Sequence, residues 1–261
     1  MRQLALSLAA FSICAALSLG CATEYVTPGR AANLAAVDRS DIRTELAREP
    51  AARFPARLAI VRVQAREYRS YSQTGGGIAA GGFEVLTVQE LLSDAQLKSI
   101  EAWREVAGVA PVNRLLLPEH MNGLDDLRLA AAKVQADVLL LYTLDTRFQV
   151  RRKSVLPTGV ISLGIAPDRD AHVVSTASAL FIDVRTGFVY GLSEATASEQ
   201  GLASFWSSQE QIDQKRIAAE QRAFDDLITA SAETWRGIAR KHAASPRAEP
   251  SDPPQLVSDI L

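Results

Sequence analysis

Apolar, β-branched runs mark the strands that this sequence predicts. Residues 58–63 and 83–88 form two such runs, and residues 113–117 form a shorter one. Residues 137–150 give the strongest signal, because the stretch 138–142 is apolar throughout, as in a central strand covered on both faces. The sequence therefore predicts at least four strands before residue 151.

A turn signal near residue 186 predicts a hairpin. Apolar runs at residues 181–184 and 188–190 flank Arg185, Thr186 and Gly187. Glycine can take the positive φ that a tight turn requires. The surrounding stretch, residues 173–197, is therefore predicted to be an antiparallel pair of strands.

Helical periodicity predicts three helices, which end at about residues 106, 134 and 242. Apolar or small residues repeat at helical spacing over 88–106 and 124–134. The last helix is long, from about residue 208 to 242, and Ser207 and Glu210 have the spacing of a capping box. Its predicted buried stripe is Ile217, Phe224, Ile228, Ser231, Trp235 and Ile238.

The order of these elements predicts the fold class. Strands and helices alternate first, an antiparallel pair follows, and a long helix closes the chain. That order favours an α/β (α+β) fold, with a single mixed β-sheet packed with helices, a long C-terminal helix and disordered ends.

The N-terminus has the layout of a secretory signal peptide. Arg2 supplies a positive charge, residues 4–19 carry none, and Gly20 precedes Cys21. The apolar run is short for a transmembrane helix, which needs about 20 apolar residues. The junction resembles the lipobox of bacterial lipoproteins, which implies cleavage between Gly20 and Cys21 and lipidation of Cys21. An ordinary secretory signal with another cut, or cleavage at Cys14, are the alternatives.

Lipidation would determine location and organisation. Two or more acyl chains anchor a protein stably to a membrane. Ala22 rather than Asp follows the cysteine, which indicates the outer membrane, with the protein on its periplasmic face. We predict a signal peptide at 1–20, a lipidated cysteine and tether at 21–56 with one short helix over 40–48, a periplasmic domain at 57–243 and a disordered Pro-rich tail at 244–261.

Composition excludes several functions. Cys14 would leave with the signal and Cys21 would carry lipid, so no disulfide or cysteine metal site is expected. The chain has 28 basic and 30 acidic residues and a net charge of −2, without a basic stripe, so nucleic acid is not an expected partner.

No motif carries an enzymatic chemistry, and we expect a non-enzymatic protein without catalytic residues, cofactor or metal. The glycine-rich residues 75–82 precede a strand instead of a helix, which favours a connector over a phosphate cradle. The three histidines, His120, His172 and His242, lack partners at ligand spacing. Residues 168–170 predict a solvated turn.

Two carboxylates interrupt apolar strands and need partners. Asp145 and Asp183 lie within predicted strands, and a buried carboxylate is costly unless it is paired. Arg147 and Arg185 are the predicted partners. Structural pairing is favoured over catalysis.

One uncharged loop, residues 154–166, lies between the two best strands. A loop this apolar either folds over the core or presents a sticky surface to a partner or membrane. The residues that would form that surface are Val155, Leu156, Val160, Ile161, Leu163 and Ile165.

Four segments together resemble a known family. Residues 57–61, 83–87, 136–140 and 179–187, followed by a long helix, look like the periplasmic domain of the curli-secretion-channel (CsgG-like) type and related envelope lipoproteins. The resemblance covers about residues 57–243.

The resemblance implies a mixed α/β domain that binds other envelope proteins or self-associates, with membrane attachment through the lipid anchor. We therefore expect an assembly or interaction module. A subunit of a secretion or pore-forming oligomer is an alternative, although residues 154–166 lack the alternation of a barrel hairpin. An uncharacterised hydrolase is a second alternative.

Overall fold

The computed structural model describes residues 31–32, 41–65, 78–80, 83–86, 92–118, 121, 123–152, 169–203 and 209–243. The predicted lipidation site at Gly20 and Cys21, the predicted tail and half of the predicted tether lie outside these residues. So do all the residues of the apolar loop: Val155, Leu156, Val160, Ile161, Leu163 and Ile165.

A single mixed sheet of seven strands forms the centre of the described chain. The strands are β1 Ala56–Ala65, β2 Ile78–Ala80, β3 Phe83–Leu86, β4 Val106–Pro111, β5 Val138–Arg152, β6 Arg169–Asp183 and β7 Val189–Ala203. Their order is β2-β3-β1-β5-β6-β7, and β4 pairs with the first part of β1. β1 is parallel to β4 and β5, and the other pairs are antiparallel.

Four α-helices and one 3₁₀ turn accompany this sheet. They are α1 Ile42–Leu46, α2 Asp94–Glu101, the 3₁₀ turn Arg114–Leu116, α3 Leu124–Lys133 and α4 Gln209–His242. A complete capping box starts α2, because the side chains of Ser93 and Gln96 each accept from the other's backbone N–H. The predicted fold class, with its mixed sheet and long C-terminal helix, is confirmed.

α4 and three strands share one length. α4 has 34 residues, about 51 Å at 1.5 Å per residue. β5, β6 and β7 have 15 residues each, about 50 Å at 3.3 Å per residue. α4 packs mainly on β7 and β6, and only a few of its contacts reach β5.

The core has two parts, one on each side of the sheet. On the α4 side, the ring of Phe181 lies 5.7 Å from that of Trp235, whose other neighbour, Phe54, is 5.5 Å away. Five of the six predicted stripe residues of α4 are buried, and Ile217 is half-buried. On the opposite side, α3 places Leu127 against buried strand residues that include Leu139.

The prediction for residues 88–117 is wrong in part. The helix is shorter, Asp94–Glu101, and the strand comes at Val106–Pro111 instead of 113–117. Glu105 takes a left-handed φ of 63°, which turns the chain from the helix into β4. The predicted strand is a 3₁₀ turn that the Asn113 side chain caps.

Two predicted loops contain strand residues. Ile78–Ala80, within the predicted loop 68–82, forms β2 and pairs with β3. Residues 169 and 170, expected in a turn, belong to β6. In both places pairing with a neighbouring strand outweighs the local composition.

A side-chain amide continues the pairing of β1 with β5. Their backbone pairing ends at Arg62 and Tyr142. Beyond that point, Oε1 of buried Gln64 accepts from Leu144 N–H at 2.7 Å, and its Nε2 donates to Leu144 C=O at 2.9 Å. The Thr143 hydroxyl donates to the same Oε1 at 2.9 Å. Gln64 thus takes the place of a peptide unit between the two strands.

Candidate functional site

The end of the predicted tether is bound to the turn between β6 and β7. An Arg48 guanidinium N–H donates to the carbonyl of Gly187 at 3.0 Å. The Thr186 hydroxyl donates to the carbonyl of Glu49 at 2.7 Å. Phe54 packs on Trp235. The tether expected at 21–56 therefore ends earlier, because residues 48–54 are part of the folded domain.

Asp183 is the centre of this docking site. Its buried carboxylate accepts from Ala51 N–H at 2.6 Å and from the Tyr190 hydroxyl at 2.7 Å, both through Oδ2. Its Oδ1 accepts from the N–H groups of Arg185, at 2.8 Å, and Thr186, at 3.0 Å. Four donors from two distant parts of the chain thus converge on one side chain.

The local sequence explains this arrangement. An aspartate that precedes a turn accepts from the N–H groups of the turn, and glycine takes the left-handed position that closes it. Gly187 has φ +74° and donates its N–H to Asp183 C=O at 2.9 Å. A Cβ on Gly187 would lie 2.5 Å from Nη1 of Arg48, so the Arg48 side chain would have to shift if another residue replaced this glycine.

The hydrogen bonds decide the charge of this site. Burial alone would raise the pKa of Asp183, but the donors from Tyr190, Thr186, Ala51 and Arg185 outweigh it and leave the pKa below its usual value. Burial and the hydrogen bond to Asp183 raise the pKa of Tyr190. Asp183 is therefore an anion and Tyr190 a neutral donor at neutral pH.

An aromatic cluster borders the site. The ring of Tyr190 lies edge-on to Phe188, at 5.2 Å, and to His242 at the end of α4, at 5.1 Å. Burial, followed by the charge of Lys241, lowers the pKa of His242. The docked tether, the hairpin turn and the end of α4 thus meet at one pole of the domain.

The structure confirms the predicted partner of Asp145 and not that of Asp183. Asp145 pairs with Arg147 at 2.9 Å, as expected. The prediction for Asp183 is wrong, since the Arg185 guanidinium lies 3.7 Å from Asp137. Backbone N–H groups and a tyrosine satisfy Asp183 instead, and a sequence pattern shows neither.

A second contact brings the tether onto the opposite face of the sheet. The backbone N–H of Ala32 donates to the Thr143 hydroxyl at 3.0 Å. The Ala32 side chain is half-buried against the core on the α3 side. The tether therefore touches the domain as early as residue 32.

A buried ionic cluster joins the first half of α4 to the sheet. Arg216 donates to Glu220 at 2.6 Å and to Asp213 at 2.8 Å. Glu220 accepts from the Thr146 hydroxyl at 2.9 Å and lies 3.7 Å from Arg62. The cluster therefore links α4 to β5 and β1, and removal of one partner from such a buried pair is strongly destabilising.

The described residues give no metal centre. Among them, no three His, Cys, Asp or Glu side chains lie close enough to hold an ion. His172 lies in β6 between Gln149 and Gln200, and His120 is outside the described residues. A cleft of about 450 Å³, lined by Arg104, Glu105, Arg236, Ala239, Arg240 and Ala243, opens beside the end of α4.

Within the described part of the chain, none of the helices combines the length and the apolar character that a bilayer span needs. α4 is long enough, but charged residues occur throughout it.

Comparisons with known proteins leave the chain without an assigned family. No family model matches it, and no curated protein matches it.

Solved structures give matches of low similarity. Protein XCC0632 from Xanthomonas campestris, of the family DUF330, has a TM-score of 0.38 and 12% identity over 74% of this chain and 92% of its own. The PelC dodecamer from Paraburkholderia phytofirmans has a TM-score of 0.26 and 13% identity over 69% of this chain and 91% of the PelC chain. Lipoprotein GNA1162 from Neisseria meningitidis has a TM-score of 0.27 and 13% identity over 66% of this chain and 99% of its own.

All three TM-scores are below 0.5, so these structures assign no partner, ligand or activity to this chain. The resemblance to the CsgG-like family stays a prediction.

Proposed function

We propose that this protein is a lipid-anchored envelope protein on the periplasmic face of the outer membrane, and that its domain is a non-enzymatic interaction module. The observation that carries the proposal is the Gly20-Cys21 junction after an uncharged apolar run. A short tether follows it and is bound to the domain at Thr143 and at Asp183.

The docked tether supports this proposal because it restrains the distance from the anchor. If Cys21 carries lipid, ten residues, 22–31, separate it from the contact of Ala32 with Thr143. Ten extended residues span at most about 33 Å at 3.3 Å per residue. A domain held this close to a bilayer presents its surfaces to other envelope proteins at a restricted height.

The contacts at the docking site favour a structural role for its polar groups over a catalytic one. Both carboxylate oxygens of Asp183 accept hydrogen bonds from groups of the tether and of the hairpin. The most buried ionic groups of α4 are engaged with each other and with Thr146. These polar groups therefore stabilise the domain.

Metabolic labelling with a clickable palmitate analogue tests the anchor. We expect the wild-type chain to incorporate label and to sediment with outer membranes. Cys21→Ser should lose the label and the membrane association, while Cys14→Ser, the matched control, should keep both. Equal labelling of Cys21→Ser and wild type would contradict the proposal.

Cross-linking in cells tests the interaction module. We expect the lipidated wild-type chain to be captured with other envelope proteins or with a second copy. A chain that is lipidated but stays monomeric and captures nothing would contradict the proposed role and leave the anchor intact.

A further inference from the structure

β7 is an edge strand of the described sheet. It has 15 residues, ends the strand order, and pairs with β6 alone among the described strands. Natural proteins protect such edges with proline, lysine or a short strand. Residues 189–203 contain no proline, lysine or arginine, and Glu194 and Glu199 are their only charges. This edge is long and lightly protected.

The hairpin geometry determines which backbone groups face outward. Asp183 N–H donates to Phe188 C=O at 2.8 Å, whereas Val184 N–H donates to Asp137 C=O at 3.0 Å, so the odd-numbered residues of β6 direct their backbone groups toward β7. Hydrogen-bonded and non-hydrogen-bonded pairs then alternate along an antiparallel ladder, in which Phe181 opposes Gly191 after a bulge. The even-numbered residues from 192 to 198 therefore point their N–H and C=O groups away from β6.

Side-chain contacts agree with this assignment. Side chains are closest in non-hydrogen-bonded pairs. The hydroxyls of Thr176 and Thr196 are 2.9 Å apart, and the Ser178 hydroxyl donates to Glu194 at 3.1 Å. Both contacts join residues of the non-hydrogen-bonded pairs.

The outward edge is accessible. α4 covers the other face of β7, whereas Leu192, Glu194, Thr196 and Ser198 are exposed, Leu192 to 71%. The one described contact at the edge backbone is the Thr234 hydroxyl, which donates to the carbonyl of Leu192 at 3.4 Å. That carbonyl keeps a second lone pair.

We propose that β7 pairs with β7 of a second copy, antiparallel, about a two-fold axis at Thr196. Thr196 is the central residue of β7, so the whole strand takes part. Paired edges of this length form about ten backbone hydrogen bonds, two for each hydrogen-bonded pair. The inference rests on the proposed interaction function and names its surface and its partner.

Charge complementarity favours a second copy over an arbitrary strand. With the axis at Thr196, Glu194 lies opposite Ser198 of the partner subunit, on the exposed face. Glu199 lies opposite Ser193 of the partner subunit, on the α4 face. Glu194 therefore meets a hydroxyl donor, whereas Ser193 already donates to Thr234 and Glu199 already pairs with Arg222. In this register the two glutamates of one strand avoid those of the other. Sheet edges pair most readily with another extended strand.

A cysteine cross-link tests the register. The full chain carrying Cys14→Ser and Cys21→Ser, purified in detergent, receives Thr196→Cys or Leu192→Cys as its sole thiol. The two Thr196 positions face each other, whereas the two Leu192 positions are eight residues apart, about 26 Å, beyond disulfide reach. We expect at least tenfold more disulfide dimer from Thr196→Cys. Random collision would favour the more exposed Leu192→Cys, and equal or reversed yields would overturn the proposal.

A proline variant tests the backbone pairing. Thr196→Pro removes an outward N–H and no bond to β6, which an edge strand tolerates. Thr196→Val keeps the N–H and is the matched control. By light scattering, we expect twice the chain mass for wild type and Thr196→Val, and a single chain mass for Thr196→Pro. Circular dichroism must show that Thr196→Pro is folded. If it is not, the comparison of disulfide yields between Thr196→Cys and Leu192→Cys decides whether β7 pairs with β7.

The outcomes separate this inference from the proposed function. A monomeric wild-type chain, or a folded Thr196→Pro that remains dimeric, overturns the β7 pairing. Loss of label in Cys21→Ser would still support the anchor in either case. Conversely, failure of lipidation leaves the cysteine cross-link unaffected, because that experiment uses a chain without Cys21.

Discussion

The Asp183 carboxylate accepts a 2.6 Å hydrogen bond from the backbone N–H of Ala51, 132 residues earlier in the chain. The same oxygen accepts from the Tyr190 hydroxyl, which also accepts from Ala52 N–H at 3.0 Å. Aspartate and tyrosine thus hold two successive N–H groups of the tether. A segment that composition marks as a linker is part of the domain.

Asp183→Ala should destabilise the domain. Removal of a buried acceptor leaves its donors unsatisfied, and each unsatisfied donor costs about 1–3 kcal/mol of stability. Several donors bind Asp183. We expect a loss of about 3 kcal/mol in the free energy of unfolding by urea. Asp145→Ala, which breaks the exposed pair with Arg147, should cost at most about 1 kcal/mol. Equal effects of the two substitutions would contradict a central role for Asp183.

The Asp183 site should make stability depend on acid pH. Its pKa is lowered in the folded protein, so its contribution is present above the unfolded-state pKa, about 3.9, and is lost as pH falls through the folded value. The Tm gap between wild type and Asp183→Asn should therefore be constant from pH 7 to about pH 5 and shrink below about pH 4. A gap that widens on acidification would contradict this prediction.

Gly187→Ala should weaken tether docking. The left-handed φ disfavours any Cβ, and the new atom would contact the Arg48 guanidinium. We expect a loss of about 2 kcal/mol, within the usual range for such strain. In Arg48→Ala, the same glycine substitution should cost less, because only the backbone strain remains. A double-mutant cycle by urea unfolding measures the difference, and strict additivity would show that Arg48 does not contact the turn.

Gln64→Ala should open the junction between β1 and β5. It removes the amide that satisfies both backbone groups of Leu144, for an expected loss of about 2–4 kcal/mol. Hydrogen exchange should show faster exchange of the Leu144 N–H. Gln64→Glu is the matched control, since it keeps an acceptor for Leu144 N–H but loses the donor to its carbonyl. Protection of Leu144 in Gln64→Ala equal to wild type would exclude the proposed pairing.

Elements with a strong local pattern could be predicted from the sequence, and elements that depend on a neighbour could not. β5 and α4 have long, unambiguous apolar patterns, and both are where expected. β4 has small, half-buried residues and is a strand because β1 offers it a parallel edge. β2 lies in glycine-rich sequence and depends on β3 in the same way.

The docking site was missed for a related reason. Asp183 was recognised as a carboxylate that needs a partner, but its donors include N–H groups, which any residue type supplies. Ala51 and Ala52 carry no side-chain signal at all. Tyr190 was part of the predicted hairpin, yet a tyrosine in a strand is more often read as core. Only the three-dimensional course of residues 48–55 reveals the site.

β5 starts at Val138, opposite Asp183, and ends at Arg152, about 46 Å away at 3.3 Å per residue. Ala51 is held at the first end, and the chain leaves β5 at the second. Asp183 thus holds Ala51 at one end of the three longest strands, and the described sheet extends about 46 Å beyond this contact.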